Sequence, residues 1–198
     1  MRYQALRQIK PLFFSYGEVA SVLNIQSQSA RVCCSRYVSK GLLVRIKRNI
    51  YVIGERWNHM NDYELMQIAN IIQVPSYISL TTALSFYNYT TQLQQNFIES
   101  VCLNRTYNKV LKGKEFNFTK IADRYYSNFI KQDGIFIALP EKAFIDALYL
   151  ESFGKYSLDF SSIEMSKLNI DKINKMILQY PERVKKLWKD ILKKYATS

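Results

Sequence analysis

The side chains best placed to do chemistry in this sequence are cations without matching acids. From Met1 to Arg56 there are ten Lys or Arg (Arg2, Arg7, Lys10, Arg31, Arg36, Lys40, Arg45, Lys47, Arg48, Arg56) and two acids, Glu18 and Glu55. That segment holds +8 of the chain's formal +12 in 56 of its 198 residues. A small basic segment ahead of a nearly balanced one suits contact with a polyanion. Charge alone does not separate that reading from a generically basic proteome.

Enzymatic chemistry is poorly supplied. His59 is the single histidine, so no Ser-His-Asp, Cys-His or multi-histidine metal site can be assembled. The six glycines include no phosphate-cradling loop. Metal-assisted phosphodiester cleavage needs carboxylates converging with a lysine. The nearest set is Asp133, Glu141, Lys142 and Asp146. Adjacent Glu141 and Lys142 point about 100° apart on a helix. Pro140-Glu141-Lys142 reads instead as a helix start with an acid matched to the helix dipole and a surface lysine. Cys33, Cys34 and Cys102 form neither an even framework nor a ligand spacing, and read as reduced, mostly buried thiols. The sequence predicts no enzyme, no metal and no cofactor.

The elements that must position the cations are legible. Leu6 and Ile9 predict a first helix that Pro11 ends or closely follows. Ser15 is suited to cap a second, whose apolar stripe is Tyr16, Val19, Ala20 and Leu23. Asn24 suits a tight turn needing positive φ, Ile25 can plug the space between helices, and Ser27 can cap a third helix. That helix, about Gln28 to Lys40, turns Ala30, Cys33, Cys34, Tyr37 and Val38 to one face. Gln28, Val32, Ser35, Arg36 and Ser39 lie opposite, flanked by Ser29 and Arg31. Gly41 follows as a C-terminal cap. Two strands, 42–46 and 50–53, are joined by Lys47-Arg48-Asn49, with Asn49 where a hairpin favours Gly or Asn. Helix, turn, helix and hairpin in this order predict a winged helix-turn-helix with a cationic wing.

Downstream, Glu55–Asn61 is polar and predicts a boundary, giving units 1–57 and 58–198. Asn61 can cap a helix bearing Leu65, Ile68, Ala69 and Ile72. Residues 74–78 are extended, and Ser79 can cap a short helix to about Tyr87. Strands are predicted at 96–103, 115–121, 129–131 and 135–139, the last two around Asp133-Gly134. Pro140 opens a helix packed through Phe144, Ala147 and Leu148, and the tail is helical. Pro181 starts the last helix, whose apolar stripe opposes Lys185, Lys186, Lys189, Lys193 and Lys194. The fold class is α+β. No apolar run of about 18 residues and no secretory h-region appear, which points to the cytoplasm.

Residues 37–52, Tyr-Val-Ser-Lys-Gly-Leu-Leu-Val-Arg-Ile-Lys-Arg-Asn-Ile-Tyr-Val, resemble the recognition helix and wing of AbiEi-type antitoxins. Residues 75–84, Pro-Ser-Tyr-Ile-Ser-Leu-Thr-Thr-Ala-Leu, and 138–148, Ala-Leu-Pro-Glu-Lys-Ala-Phe-Ile-Asp-Ala-Leu, resemble two further segments of that family, in the same order. Asn49 stands where the family's wing has Gly, and Leu139 where it has a small hydroxyl before Pro-Glu-Lys. The tail after Phe153 carries no segment of the resemblance. The resemblance implies an antitoxin of a type IV toxin–antitoxin, abortive phage-infection pair. It implies repression of the protein's own operon through the N-terminal domain, and action of the C-terminal domain against a nucleotidyltransferase-like toxin. A regulator without a toxin partner remains the alternative.

These readings together assign duplex operator DNA, as an inverted repeat, to Ser27, Gln28, Ser29, Arg31, Val32, Ser35, Arg36, Ser39, Lys40, Lys47, Arg48 and Asn49. Arg31 and Arg36 are expected on bases or phosphates, Ser27 and Ser29 on phosphate at the helix start, and Lys47 and Arg48 on the backbone. The lysine face of the last helix (Lys185, Lys186, Lys189, Lys193) is the expected partner surface.

Overall fold

Two asparagines fix the turns of the first third of the chain. Asn24 and Asn49 take the left-handed backbone, with φ of 49° and 60°, which a short amide tolerates far better than a branched side chain. They belong to a computed structural model that describes residues 2–92 and 94–196. The fold is α+β, in two compact units, Met1–Ile68 and Ala69–Ser198.

The first unit begins with α1 (Arg2–Ala5) and a 3-10 turn, Leu6–Gln8. The chain is already extended at Ile9, and Pro11 follows closely. α2 (Tyr16–Leu23) opens with a capping box. The Ser15 hydroxyl accepts from the Glu18 N–H, and the Glu18 carboxylate accepts from the Ser15 N–H. α3 (Ser27–Ser39) starts one residue before the sequence reading, so Ser27 is its first residue and not its cap. Gln26 takes the cap position, where its carbonyl accepts from Ala30 N–H at 3.0 Å.

β1 (Leu43–Lys47) and β2 (Ile50–Ile53) pair antiparallel with a bulge between Arg45 and Lys47. Lys47 pairs with Ile50, so the turn is Arg48–Asn49 alone. Phe14 adds a short bridge to Tyr51, with N–H to carbonyl bonds of 2.9 and 2.8 Å in both directions. Leu6, Phe14, Val19, Ala30, Cys34 and Leu43 form the heart of this unit's core. Residues 54–58 form α4 (Gly54–Asn58), not a polar connector, because Trp57 is fully buried. Gly54 is required there. A Cβ would stand 2.6 Å from the Gly41 carbonyl oxygen and 2.8 Å from that of Leu42.

α5 (Asp62–Ile72) is capped by Asn61, whose Oδ1 accepts from Glu64 N–H at 2.9 Å; the division between units falls within this helix. The second unit carries a six-stranded mixed sheet in the order β5-β6-β4-β3-β8-β7. Its strands are β3 (Ser76–Ile78), β4 (Phe97–Cys102), β5 (Tyr107–Leu111), β6 (Lys114–Lys120), β7 (Phe129–Gln132) and β8 (Ile135–Ala138). β3 runs parallel to β8, and β4 parallel to β6. The sequence reading has no counterpart of β5, an edge strand whose residues alternate between half-buried and exposed. α6 (Leu80–Phe86) and α7 (Pro140–Glu151) pack against each other, and α7 also contacts α8 (Ile170–Ile177) and α9 (Glu182–Ala196). Between α7 and α8 the tail is irregular, with 3-10 turns at Phe160–Ser162 and Met165–Lys167.

Two expectations for this unit need correction. Ser79 does not cap α6 with its side chain. Its hydroxyl donates to Asp146 instead, and the Glu99 carboxylate from β4 accepts from the N–H groups of Thr81 and Thr82. Lys142 is not a surface lysine. It is fully buried, paired with Asp146 and donating to Tyr180 OH at 3.2 Å. Glu141 is also buried and meets Lys172 Nζ at 2.8 Å.

Candidate nucleic-acid interface

α3 exposes its polar face because Ala30 and Cys34 are consumed by the core. Ser27, Gln28, Ser29, Arg31, Val32, Ser35, Arg36, Ser39 and Lys40 are all exposed, Val32 to 47%. Cys33 is half-buried and lies at the flank of that face, while burial pushes the Cys34 thiol up to about 11.

The exposed side of α3 divides into two surfaces. On one, Gln28, Ser29, Val32, Cys33 and Arg36 line a shallow concavity of about 340 Å³ together with Ile25. On the other, Arg31 and Ser35 turn toward the hairpin. They line a cleft of about 460 Å³ with Tyr16, Val38, Arg45, Arg48, Asn49 and Tyr51. Ser35 and Arg36, which the sequence places on one face, therefore line two different surfaces, with the flanking Arg31 on the Ser35 side.

The hairpin is held in place by its own turn. Asn49 Oδ1 accepts from the Tyr16 N–H at 3.0 Å, which ties the turn to the start of α2. That bond occupies the Asn49 amide oxygen, so Asn49 positions the hairpin. Lys47 is half-buried at the end of β1, and Arg48 is exposed at the turn. Ser39 Oγ donates to the Arg36 carbonyl at 2.9 Å.

Arg45 was not among the residues expected here. The signal was present, because Arg45 stands between buried Val44 and Ile46 and a strand turns alternate residues to opposite faces. Its Nε donates to the Lys47 carbonyl across the bulge at 3.4 Å. Tyr51, buried beneath the cleft, has its hydroxyl pKa raised by burial first and by Cys34, while Arg45 and Arg31 pull it down.

The distribution of ion pairs is uneven. Arg7 pairs with Glu55 at 2.6 Å and Arg56 with Glu64 at 2.9 Å. Arg31, Arg36, Lys40, Arg45, Lys47 and Arg48 take part in none of the ion pairs among the described residues.

No family model matches the chain. No curated protein matches it either. Among solved structures, the chain is similar to the crystal structure of the RV2827C protein from Mycobacterium tuberculosis, with a TM-score of 0.56 at 8% identity over 93% of this chain and 74% of that one. At that identity the likeness shows a shared fold.

In the second unit, the four lysines expected to meet a partner do not behave alike. Lys186, Lys189 and Lys193 are exposed along α9. Lys185 is only 26% exposed and bonds Glu182 at 2.7 Å, which holds the Glu182 carboxyl below its usual range. Among the described residues no helix is long and apolar enough to cross a membrane, and no group of three or more His, Cys, Asp or Glu could hold a metal ion.

Proposed function

We propose that this protein is a transcriptional autorepressor and antitoxin. In this reading the first unit is a winged helix-turn-helix that binds operator DNA, and the second acts against a nucleotidyltransferase-like toxin encoded beside it. One observation carries the DNA-binding part. Among the described residues, six cations on α3, its C-cap Lys40 and the hairpin enter no ion pair, while Arg7 and Arg56, elsewhere in the same unit, each have one. Unneutralised cations gathered on one helix and its adjoining hairpin suit a chain of phosphates, because each contact releases a condensed counterion. Small polar groups at Gln28, Ser29 and Ser35 leave α3 slim enough for a major groove. The antitoxin part is supported by the resemblance of residues 75–84 and 138–148 to the AbiEi-type family.

Fluorescence anisotropy with the full chain and its own promoter tests the first part. Binding in a salt-dependent manner, tighter than to unrelated duplex, is expected. No binding at low salt overturns it. Co-expression with the product of the adjacent gene tests the second part. Rescue of growth supports it, and unrelieved toxicity beside retained promoter binding leaves a regulator with no toxin partner.

A further inference from the structure

We propose that the cleft between α3 and the hairpin is a dedicated phosphate seat, formed by Arg31, Arg45 and Arg48, and separate from the base-reading surface around Arg36. The inference deepens the DNA-binding reading and rests on it for the source of the phosphate.

The cleft has the composition of an oxyanion site. Three guanidinium groups come from three different places, the middle of α3, the outward position of β1 and the hairpin turn. None is in an ion pair among the described residues, and the described lining holds no carboxylate. Ser35 and Tyr16 supply further polar surface, and buried Tyr51 forms the floor. Three like charges facing one space repel each other, and an anion between them removes that cost. Guanidinium presents a planar fork that matches two phosphate oxygens at once, which an ammonium does not. The seat is also rigid. The bond from Tyr16 N–H to Asn49 holds the turn against α2, and the Phe14–Tyr51 bridge holds β2.

The geometry divides the labour of α3. Arg31 and Ser35 face the seat, while Gln28, Val32 and Arg36 face the other concavity. A backbone phosphate in the seat would set the register of α3 along the duplex without reading sequence.

The test uses the full chain and Arg45→Ala, with Arg45→Lys as companion. Arg45 is exposed, so neither change empties the core. A thermal melt matching wild type confirms the fold. Anisotropy is measured against the promoter and an unrelated duplex over a range of salt. Expected for Arg45→Ala is a loss of roughly tenfold on both duplexes, with the salt slope reduced by about one unit. Arg45→Lys keeps the slope but does not recover full affinity. If wild type binds DNA and Arg45→Ala matches it in affinity and slope, the seat is overturned and the DNA reading stands. If wild type binds no duplex, the DNA reading falls and inorganic pyrophosphate becomes the probe. Saturable pyrophosphate binding lost in Arg45→Ala then assigns the seat to a free phosphate ligand; no binding overturns it.

Discussion

Ser79 and Asp146 lie 67 positions apart, and the Ser79 hydroxyl donates to Asp146 Oδ2 at 2.8 Å in the core of the second unit. Tyr77 OH donates to the same oxygen at 2.9 Å, and Lys142 occupies the other. Lys142 in turn reaches Tyr180 OH and lies against the rings of Tyr77 and Tyr180. Every one of these side chains is buried. The network joins the segment at 75–84 to the segment at 138–148, which gives both a structural reason to be spelled as they are. Asp146 and its cation neutralise each other where water cannot. Burial and the Asp146 charge push the Tyr77 and Tyr180 hydroxyls well above their ordinary range, so both stay protonated, Tyr77 donating to Asp146 and Tyr180 accepting from Lys142.

Removing one partner should be costly. Lys142→Met leaves the Asp146 carboxylate buried without its cation, and should cost about 3–5 kcal/mol. Replacing both, Lys142→Met with Asp146→Leu, should cost less than the two single changes added together. Urea unfolding of the four proteins measures the coupling, and strict additivity would mean that the two groups do not interact.

Glu99 should make the second unit lose stability as pH rises. It is almost completely buried, and burial raises its carboxyl pKa against the pull of Gln94, Tyr156 and the Thr82 and Thr81 N–H groups. A folded carboxyl pKa above the unfolded value, about 4.3 for glutamate, means that the native state binds more protons in between. Its contribution is complete below the unfolded value and is lost as pH climbs through the folded one. Glu99→Gln should therefore be more stable than wild type at neutral pH and lose that advantage on acidification. Denaturation midpoints at a series of pH values show it; a difference independent of pH would contradict the assignment.

Local chemistry was legible where the residue itself determines the backbone. Asn24, Asn49 and Gly41 adopt positive φ, Ser15 caps α2, Asn61 caps α5, and the Asp133-Gly134 hairpin pairs β7 with β8. The polar face of α3 was legible because its period is 3.6 and its core side holds small residues. Long-range partners were not. A lysine after Pro-Glu looks solvent-facing until Asp146, Tyr77 and Tyr180 surround it. Ser79 looks like a cap until Glu99 arrives from another strand to take that role. Arg45 looks like an ordinary strand cation until the hairpin brings it beside Arg31. In each case the decisive neighbour is distant in sequence; for Arg45 the strand alternation gives the outward direction but not that neighbour.

Gly54 carries a steric prediction. Its N–H donates to the Leu42 carbonyl at 2.7 Å, and an added Cβ would press on backbone that no rotamer change can move. Gly54→Ala should destabilise the first unit by about 1–3 kcal/mol. The loss should appear in thermal melts. A melt equal to wild type would mean that α4 does not approach Gly41 as closely as described.

The hairpin carries an electrostatic prediction. Lys47 and Arg48 each release about 0.9 of a counterion if each neutralises one phosphate. Replacing both with Ala should flatten the dependence of log affinity on log salt by about two units and weaken promoter and unrelated duplex alike. A titration with an unchanged slope would place the hairpin away from the DNA.

Arg36 should behave differently from every cation of the cleft. It shares its concavity with Gln28, Ser29 and Val32, where the described lining holds no second cation and an exposed apolar group is available to a thymine methyl. Such a surface is poor at holding phosphate and well suited to base edges. Arg36→Ala should cost about 1–3 kcal/mol on the promoter and much less on unrelated duplex, so that the ratio of the two affinities falls. The cleft variants should leave that ratio unchanged, because a phosphate contact is blind to sequence. Competition anisotropy with both duplexes at one salt concentration reads the ratio directly. Equal losses on both duplexes for Arg36→Ala would make Arg36 another backbone contact and remove the division of α3 into a gripping side and a reading side.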